Sequence, residues 1–283
     1  MATEPVRAGS AWLALREPAD AEARSDELVG LLRPLLPPTA SVVHDLGSGT
    51  GSTARWLAPR LAGTQHWVLH DRDAELLDLA SAMPAPRSAD GSEVTVETRL
   101  DDITRLAPGG LAGASLVTAS ALLDMFTTDE LARFVAACAG VGCPVLVTLS
   151  VVGRVALTPG DPLDGRMGRA FDDHQRRTRP GGRLLGPDAV ARAVASFREA
   201  GLRVVVRPSP WHLGPGSAAL AAAWLDGWVG AAAEQDPGLH DHAAAYVRRR
   251  RAQLEAGALA VGVDHLDLLA LPGRRAASTA RAR

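Results

Sequence analysis

Apolar positions in this chain fall into short blocks that alternate between a helical and an extended period. Residues 20–35 carry apolar side chains at helical spacing, with Ser25 placed as an N-cap before Asp26 and Glu27, and prolines 34, 37 and 38 ending the segment. Residues 41–46 (SVVHDL) form a short apolar run that closes in a glycine-rich turn. A helix follows with Ala54, Leu57 and Leu61 on one face. The alternation then repeats, predicting strands at 66–70, 93–98, 116–119 and 144–150 and helices at 73–80 and 128–137. Residues 151–183 break the rhythm with glycine, proline, aspartate and arginine, and read as an irregular segment. Next comes a helix at 187–200, with Val190, Val194 and Phe197 on one face and Gly201 closing it. A strand at 202–206, alanine- and arginine-rich helices at 217–233 and 240–255, and a last strand at 259–263 complete the pattern. The tail from Gly273 holds only small residues and arginine and predicts disorder.

Short β-branched strands alternating with helices predict βαβ units with right-handed crossovers. The expected fold is α/β: a doubly wound, mainly parallel, seven-stranded sheet with helices on both faces. No repeat or linker divides residues 1–283. One domain is expected, with an N-terminal helical cap (1–40), a ligand-binding core (41–150) and a substrate-side loop, helix and strand (151–216). A helical insertion (217–257), the last strand (258–272) and the tail (273–283) follow. Such a sheet binds ligands at the carboxyl ends of its strands.

Composition narrows the function classes. Net charge is −2 with an isoelectric point near 6.4, which gives no pull toward nucleic acid. The arginine run at 248–251 sits in a helical pattern and reads as a solvated face. Met1 is followed by Ala, Thr and Glu rather than a secretory signal, and the alanine-rich stretch 216–234 carries Asp226, so it reads as a packed helix rather than a membrane span. A soluble cytoplasmic protein is expected, with no membrane or nucleic-acid partner and no sequence mark of its oligomeric state. Cys138 and Cys143 fit neither a zinc pair nor a redox motif and read as reduced, half-buried residues. No metal-ligand set is evident. The sequence has no lysine and no asparagine, which excludes mechanisms that need a lysine base or an asparagine clamp.

The most informative stretch is Asp45-Leu46-Gly47-Ser48-Gly49-Thr50-Gly51. Its glycines permit a sharp turn and let a ligand approach main-chain N–H groups. A dinucleotide turn uses the same physics, but here the spacing is G-x-G-x-G, and the acid two positions before the first glycine would repel a pyrophosphate. A carboxylate there suits a ligand bearing an ammonium group. The stretch resembles motif I of the class I, Rossmann-like methyltransferases that depend on S-adenosylmethionine (SAM). That resemblance implies that Asp45 lies near the amino acid end of SAM, with Gly47, Ser48, Gly49 and Gly51 forming the turn beneath it.

Downstream residues keep the family's order. Asp71 closes the second strand, where an acid can grip both ribose hydroxyls, and Asp71-Arg72-Asp73 resembles the family's acidic turn, although Asp73 is itself a good N-cap. After the third strand, Asp102 with Ile103 matches the acid and apolar pair that flank adenine, Asp101 remaining an alternative. Ala119-Ser120-Ala121-Leu122 matches the wall beside the methionine moiety. The resemblance covers about residues 41–151 closely and implies SAM as cofactor and S-adenosylhomocysteine (SAH) as product.

The acceptor side carries no diagnostic motif. Absent signatures argue against adenine or amide N-methylation, covalent cytosine chemistry, lysine-dependent ribose methylation and metal-assisted catechol chemistry. A small-molecule oxygen or nitrogen acceptor is expected, with a non-catalytic SAM-binding or regulatory subunit, or less favourably an NAD(P)-dependent oxidoreductase, as alternatives. His174 beside its aspartates, His212 after Trp211, and Asp124 past the fourth strand are the candidate bases. His44, His66 and His70 read as packing residues. Trp12 and Arg16, ahead of the first helix, are candidate lid residues. Trp224 and Trp228 read as the pair that packs the insertion, which is expected to roof the pocket.

Overall fold

The computed structural model describes residues 8–106 and 109–273. From residue 274 the tail expected to be disordered lies outside the described residues. Helices α1 (Ser10–Ala23) and α2 (Asp26–Leu32) lead into β1 (Ala40–Leu46), α3 (Ser52–Leu57), β2 (Thr64–Asp71), α4 (Ala74–Ala82) and β3 (Val94–Leu100). Then come β4 (Leu116–Ser120), α5 (Thr128–Val141), β5 (Val145–Thr158), α6 (Asp164–Gln175), and a hairpin of β6 (Thr178–Arg179) and β7 (Gly182–Arg183). The chain continues through α7 (Ala189–Glu199), β8 (Arg203–Pro208), β9 (Trp211–Leu213), α8 (Ala218–Gln235), α9 (His240–Glu255) and β10 (Ala260–Leu271).

The main sheet has the order β3-β2-β1-β4-β5-β10-β8, with β9 also pairing with β10. It holds eight strands, one more than expected, because the three residues of β9 add to the edge. Strands β1 to β5 pair in parallel, and β10 runs antiparallel to β5, β8 and β9. Strand order reverses on either side of β1, so β1 and β4 open a crevice at their carboxyl ends. Apolar residues of α5 and α7 cover one face of the sheet, and those of α2 and α3 cover the other. A third cluster joins α6, α8 and α9 to the outer parts of β5, β9 and β10. Both cysteines lie in the first cluster as free thiols, fully rather than half buried.

Three expectations need correction. First, the N-terminal cap is two helices. Ser25 does cap α2, its Oγ accepting from the Leu28 N–H at 3.3 Å, but residues 10–19 are helical as well. Trp12 and Arg16 therefore lie on α1 rather than ahead of a helix. Pro18 and a weak apolar stripe obscure α1 locally, and the contact of Trp12 with Trp211 at 6.3 Å between ring centres helps to hold it.

Second, residues 151–183 are ordered strand, helix and hairpin. Strand β5 bends at Leu149, which adopts φ +56°, and runs on to Thr158 because β10 pairs with it from Ala270↔Val145 to Ala260↔Thr158. That partner lies about a hundred residues away, out of reach of local pattern. The last strand is longer than the predicted 259–263 for the same reason.

Third, the 248–251 run is not uniformly solvated. Arg250 is fully buried, its guanidinium bonded to Asp164 of α6 and set 5.1 Å from the centre of the Tyr246 ring. His66 also departs from a packing role, since it is half-buried and bonds Thr95 at 2.9 Å.

Candidate functional site

The glycine-rich turn is tied to the strand beside it. Gly47 N–H and Ser48 N–H both donate to the His70 carbonyl, at 2.8 and 2.9 Å. Gly49 N–H donates to Asp71 Oδ2 at 2.8 Å, and Asp73 N–H to Asp71 Oδ1 at 3.0 Å. Main-chain donors thus fix the plane of the Asp71 carboxylate while each oxygen keeps a lone pair for a ligand. Asp73 caps α4, accepting from Glu75 N–H at 3.1 Å.

Glycine is required at two of these positions. Gly47 has φ +70° and a Cβ there would stand 3.1 Å from Leu122; Gly49 has φ +54° and a Cβ would stand 3.1 Å from Leu13 of α1.

A cavity of about 550 Å³ opens above this turn at the carboxyl ends of β1, β2 and β4. Among the residues singled out from sequence, Gly47, Ser48, Gly49, Asp71, Arg72, Asp102, Ile103 and Ser120 line it. Asp101, the alternative to Asp102, lines it too. Ser48 Oγ is buried without a partner, an open position for a polar ligand group.

Asp45 and Gly51 are not on the cavity wall. Asp45 sits beneath the turn, 1% exposed, paired in register with Thr118 of β4 and accepting from its hydroxyl at 2.7 Å. Burial pushes its carboxyl up to about 6, and Oδ2 has no partner. Gly51 stands at the N-terminus of α3 with φ +81°.

Several residues of the site carry no local sequence signal. Arg24, at the end of α1, is 3% exposed and donates through Nη2 to Ser52 Oγ and Ser120 Oγ, both at 3.2 Å. Its Nε and Nη1 lack partners, and burial lowers its pKa despite Asp20 and Asp45 nearby. His70 bridges the buried His44 ring at 2.9 Å and Asp101 Oδ2 at 2.8 Å, and so fixes Asp101 at the cavity rim. The roof of this cavity is α1, through Trp12, Leu13, Arg16 and Asp20, and the insertion reaches only the second, smaller cavity beside it, through Trp224. Helices α8 and α9 cover instead the antiparallel side of the sheet, where Trp224 and Trp228 stack at 5.2 Å.

A second cavity of about 200 Å³ adjoins the first and shares Trp12, Arg16, Ala121 and Asp124 with it. Of the three candidate bases, only Asp124 reaches this place. It is half-buried, and burial raises its carboxyl to about 6 against the opposing charges of Arg16 and Arg177. His174 lies on α6 with Nε2 3.3 Å from Glu234 of α8, and it lines neither cavity. His212 lies on β9, where Trp211 and Leu213 turn inward and leave its side chain exposed. Strand alternation decides its direction.

No family model matches the sequence, and no curated protein matches it. Solved structures of similar outline include the YcgJ protein of Bacillus subtilis, 14% identical with TM-score 0.48 over 88% of this chain and 100% of that one. The cyclopropane synthase MmaA2 of Mycobacterium tuberculosis is 15% identical with TM-score 0.46, covering 93% of this chain and 94% of its own. Magnesium protoporphyrin IX methyltransferase of Synechocystis, solved with SAH, is 16% identical with TM-score 0.43 over 73% of this chain and 83% of that one. No helix among the described residues is long and apolar enough to cross a membrane.

Proposed function

We propose that this protein is a class I SAM-dependent methyltransferase acting on an oxygen or nitrogen of a small molecule, with SAH as product. One observation carries the reading: a single cavity at the β1/β4 switch point gathers the glycine turn, Asp71, the Asp101/Asp102 pair with Ile103, and Ser120. The donor set suits the cofactor. The glycine backbone leaves room above the turn, Asp71 offers two fixed acceptor oxygens for ribose hydroxyls, and the unpartnered Ser48 Oγ offers a further polar contact. Ile103 supplies an apolar surface beside the carboxylates that suit the adenine amino group. Asp45 acts from below the turn, as a buried charge that orders it rather than as a direct contact.

When bound, SAM supplies an electrophilic methyl group on a sulfonium that is already a good leaving group. The chain itself has to position, desolvate and accept a proton. Roofing by α1 keeps water from the crevice, and Asp124 stands at the opening to the second cavity as the proton acceptor. An acceptor small enough to enter between α1 and β5, in a protein of net charge −2, favours a metabolite over a nucleic acid.

Titration calorimetry with SAM, SAH and NAD(H), run beside an Asp71→Ala variant, tests this. Micromolar binding of SAM and SAH that the variant loses supports the proposal. Binding of NAD(H) alone sinks it in favour of an oxidoreductase, and SAM binding without turnover over a broad acceptor screen favours a regulatory SAM-binding subunit.

A further inference from the structure

The second cavity has an unusual imbalance of hydrogen-bonding groups. Its two guanidinium groups and the Trp211 indole are already committed. Arg16 is gripped by Asp20 through Nε at 2.8 Å and Nη2 at 3.2 Å, Arg154 pairs with Asp264 at 2.8 Å, and Trp211 Nε1 donates to Asp20 at 3.0 Å. Its acceptors stand open. Gln175 Oε1 is buried without a partner, and neither Asp124 nor Asp172 has an ion-pair or side-chain hydrogen-bond partner among the described residues. His265 on β10, only 3% exposed, leaves Nδ1 unpartnered in the same wall. Burial keeps that imidazole neutral, with a pKa held down to about 4.

The apolar part of the wall combines four aromatic side chains, Trp12, Trp211, Trp224 and Phe171, with aliphatic ones from β5 and β10. Such faces favour cations, and the Arg16 guanidinium already lies 4.9 Å from the Trp211 ring centre and 5.9 Å from that of Trp12. An anion would meet two carboxylates while the guanidinium groups in the wall, Arg16 and Arg154, are already paired, and a neutral polyol would leave both charges unanswered. A ligand with N–H donors, positive charge and a flat apolar body answers both carboxylates, the Gln175 oxygen and the aromatic faces at once.

We propose that the second cavity is the acceptor site and that it takes a small amine carried on an aromatic or apolar body. The nitrogen sits at Asp124, where the cavities meet, and Asp172 and Gln175 of α6 supply the remaining acceptors. The site rests on the methyltransferase reading only in naming the amine as methyl acceptor. Amines enter as ammonium ions, and the Asp124 carboxylate takes the proton: one N–H bond breaks, one O–H bond forms, and the lone pair is freed on nitrogen.

Titration calorimetry with three probes of one shape tests the assignment, on protein with and without saturating SAH: 2-phenylethylamine, 2-phenylethanol and 3-phenylpropanoate. The amine should bind at least about tenfold more tightly than either of the others. Asp172→Asn, whose side chain lies outside the first cavity, should lose about tenfold in amine affinity. SAH affinity reports whether that variant is folded, and Gln175→Leu serves as the second variant if it is not. Equal or tighter binding of the carboxylate, or amine affinity unchanged in both variants, overturns the proposal. Amine binding in a protein that fails to bind SAH leaves the amine site standing and removes the methyltransferase reading. SAH binding with no preference for the amine does the reverse.

Discussion

The parallel and antiparallel halves of the sheet meet at β5, which pairs in parallel with β4 and antiparallel with β10, and each half contributes one cavity by a different route. In the parallel half the site is made chiefly of main-chain atoms and nearby acids: Gly49 N–H and Asp73 N–H on Asp71, and the His70 carbonyl under the turn. In the antiparallel half the walls are side chains that depend on partners far along the chain, as Arg154 depends on Asp264 and Trp211 on Asp20. A backbone cradle fits one ligand skeleton and tolerates little change, whereas a side-chain cage can be recut without disturbing the turn. On the proposed function, binding of the cofactor and choice of acceptor are thereby separated in space. The two αL residues, Ala121 at φ +50° after β4 and Leu149 at φ +56° within β5, mark the seam.

The comparison breaks most visibly if a lesion in one half spreads to the other. Arg250→Ala, which strips the buried partner from Asp164, should cost about 3–5 kcal/mol in urea unfolding. The folded protein should still bind SAH within about twofold of the parent. Asp267 is the exception that sharpens the contrast, because it spans the seam. Its carboxylate accepts from Leu149 N–H at 2.7 Å, Ser25 N–H at 2.8 Å and Ser209 Oγ at 2.5 Å. Asp267→Ala should cost about 3 kcal/mol by the same measurement and, through Ser25 and α1, weaken SAH as well.

Asp71→Ala should cost about 2–3 kcal/mol of SAH affinity by calorimetry and leave amine affinity in the second cavity unchanged.

The smallest effect is on pH dependence. His44 is held down to about 4 from an ordinary 6.5, by burial first and by the neighbouring His70 second. Between those values the unfolded chain binds the extra proton, so stability falls as pH falls. Asp124 and Asp172 run the other way. Burial raises both from 3.8 to about 6, so in that interval the folded chain holds the proton and stability rises as pH falls. Asp124→Asn combined with Asp172→Asn removes two of the compensating groups and leaves Asp45, also raised to about 6. Its melting temperature should therefore drop more steeply than the parent's between pH 6.5 and 4. A parallel pair of melting curves would break this account.

Legibility in the sequence followed the same division. The order of strands and helices from β1 through residue 150 and the capping roles of Ser25 and Asp73 were all readable, because each depends on residues a few positions apart. The wall positions of Gly47, Ser48, Gly49, Asp71, Asp102 and Ser120 also followed from local order. Asp45 was readable as part of the motif but not as a buried residue, since its depth is set by its register with Thr118. The extension of β5, the helix α6 and the burial of Arg250 had no local signature. The same holds for His174, whose aspartate neighbours suggested a base while the α6 helix turned it toward Glu234.

The sequence by itself determined a glycine turn with its acids at strand ends, because steric freedom at Gly47 and Gly49 and the period of the apolar blocks are local properties. Tertiary structure alone decided that α1 forms the roof and that Asp124, rather than His174 or His212, stands where the cavities meet. It also decided that Asp172, Gln175 and His265 share one wall, since residues so far apart in the chain are brought together only by the pairing of β10 with β5 and the packing of α6 against it.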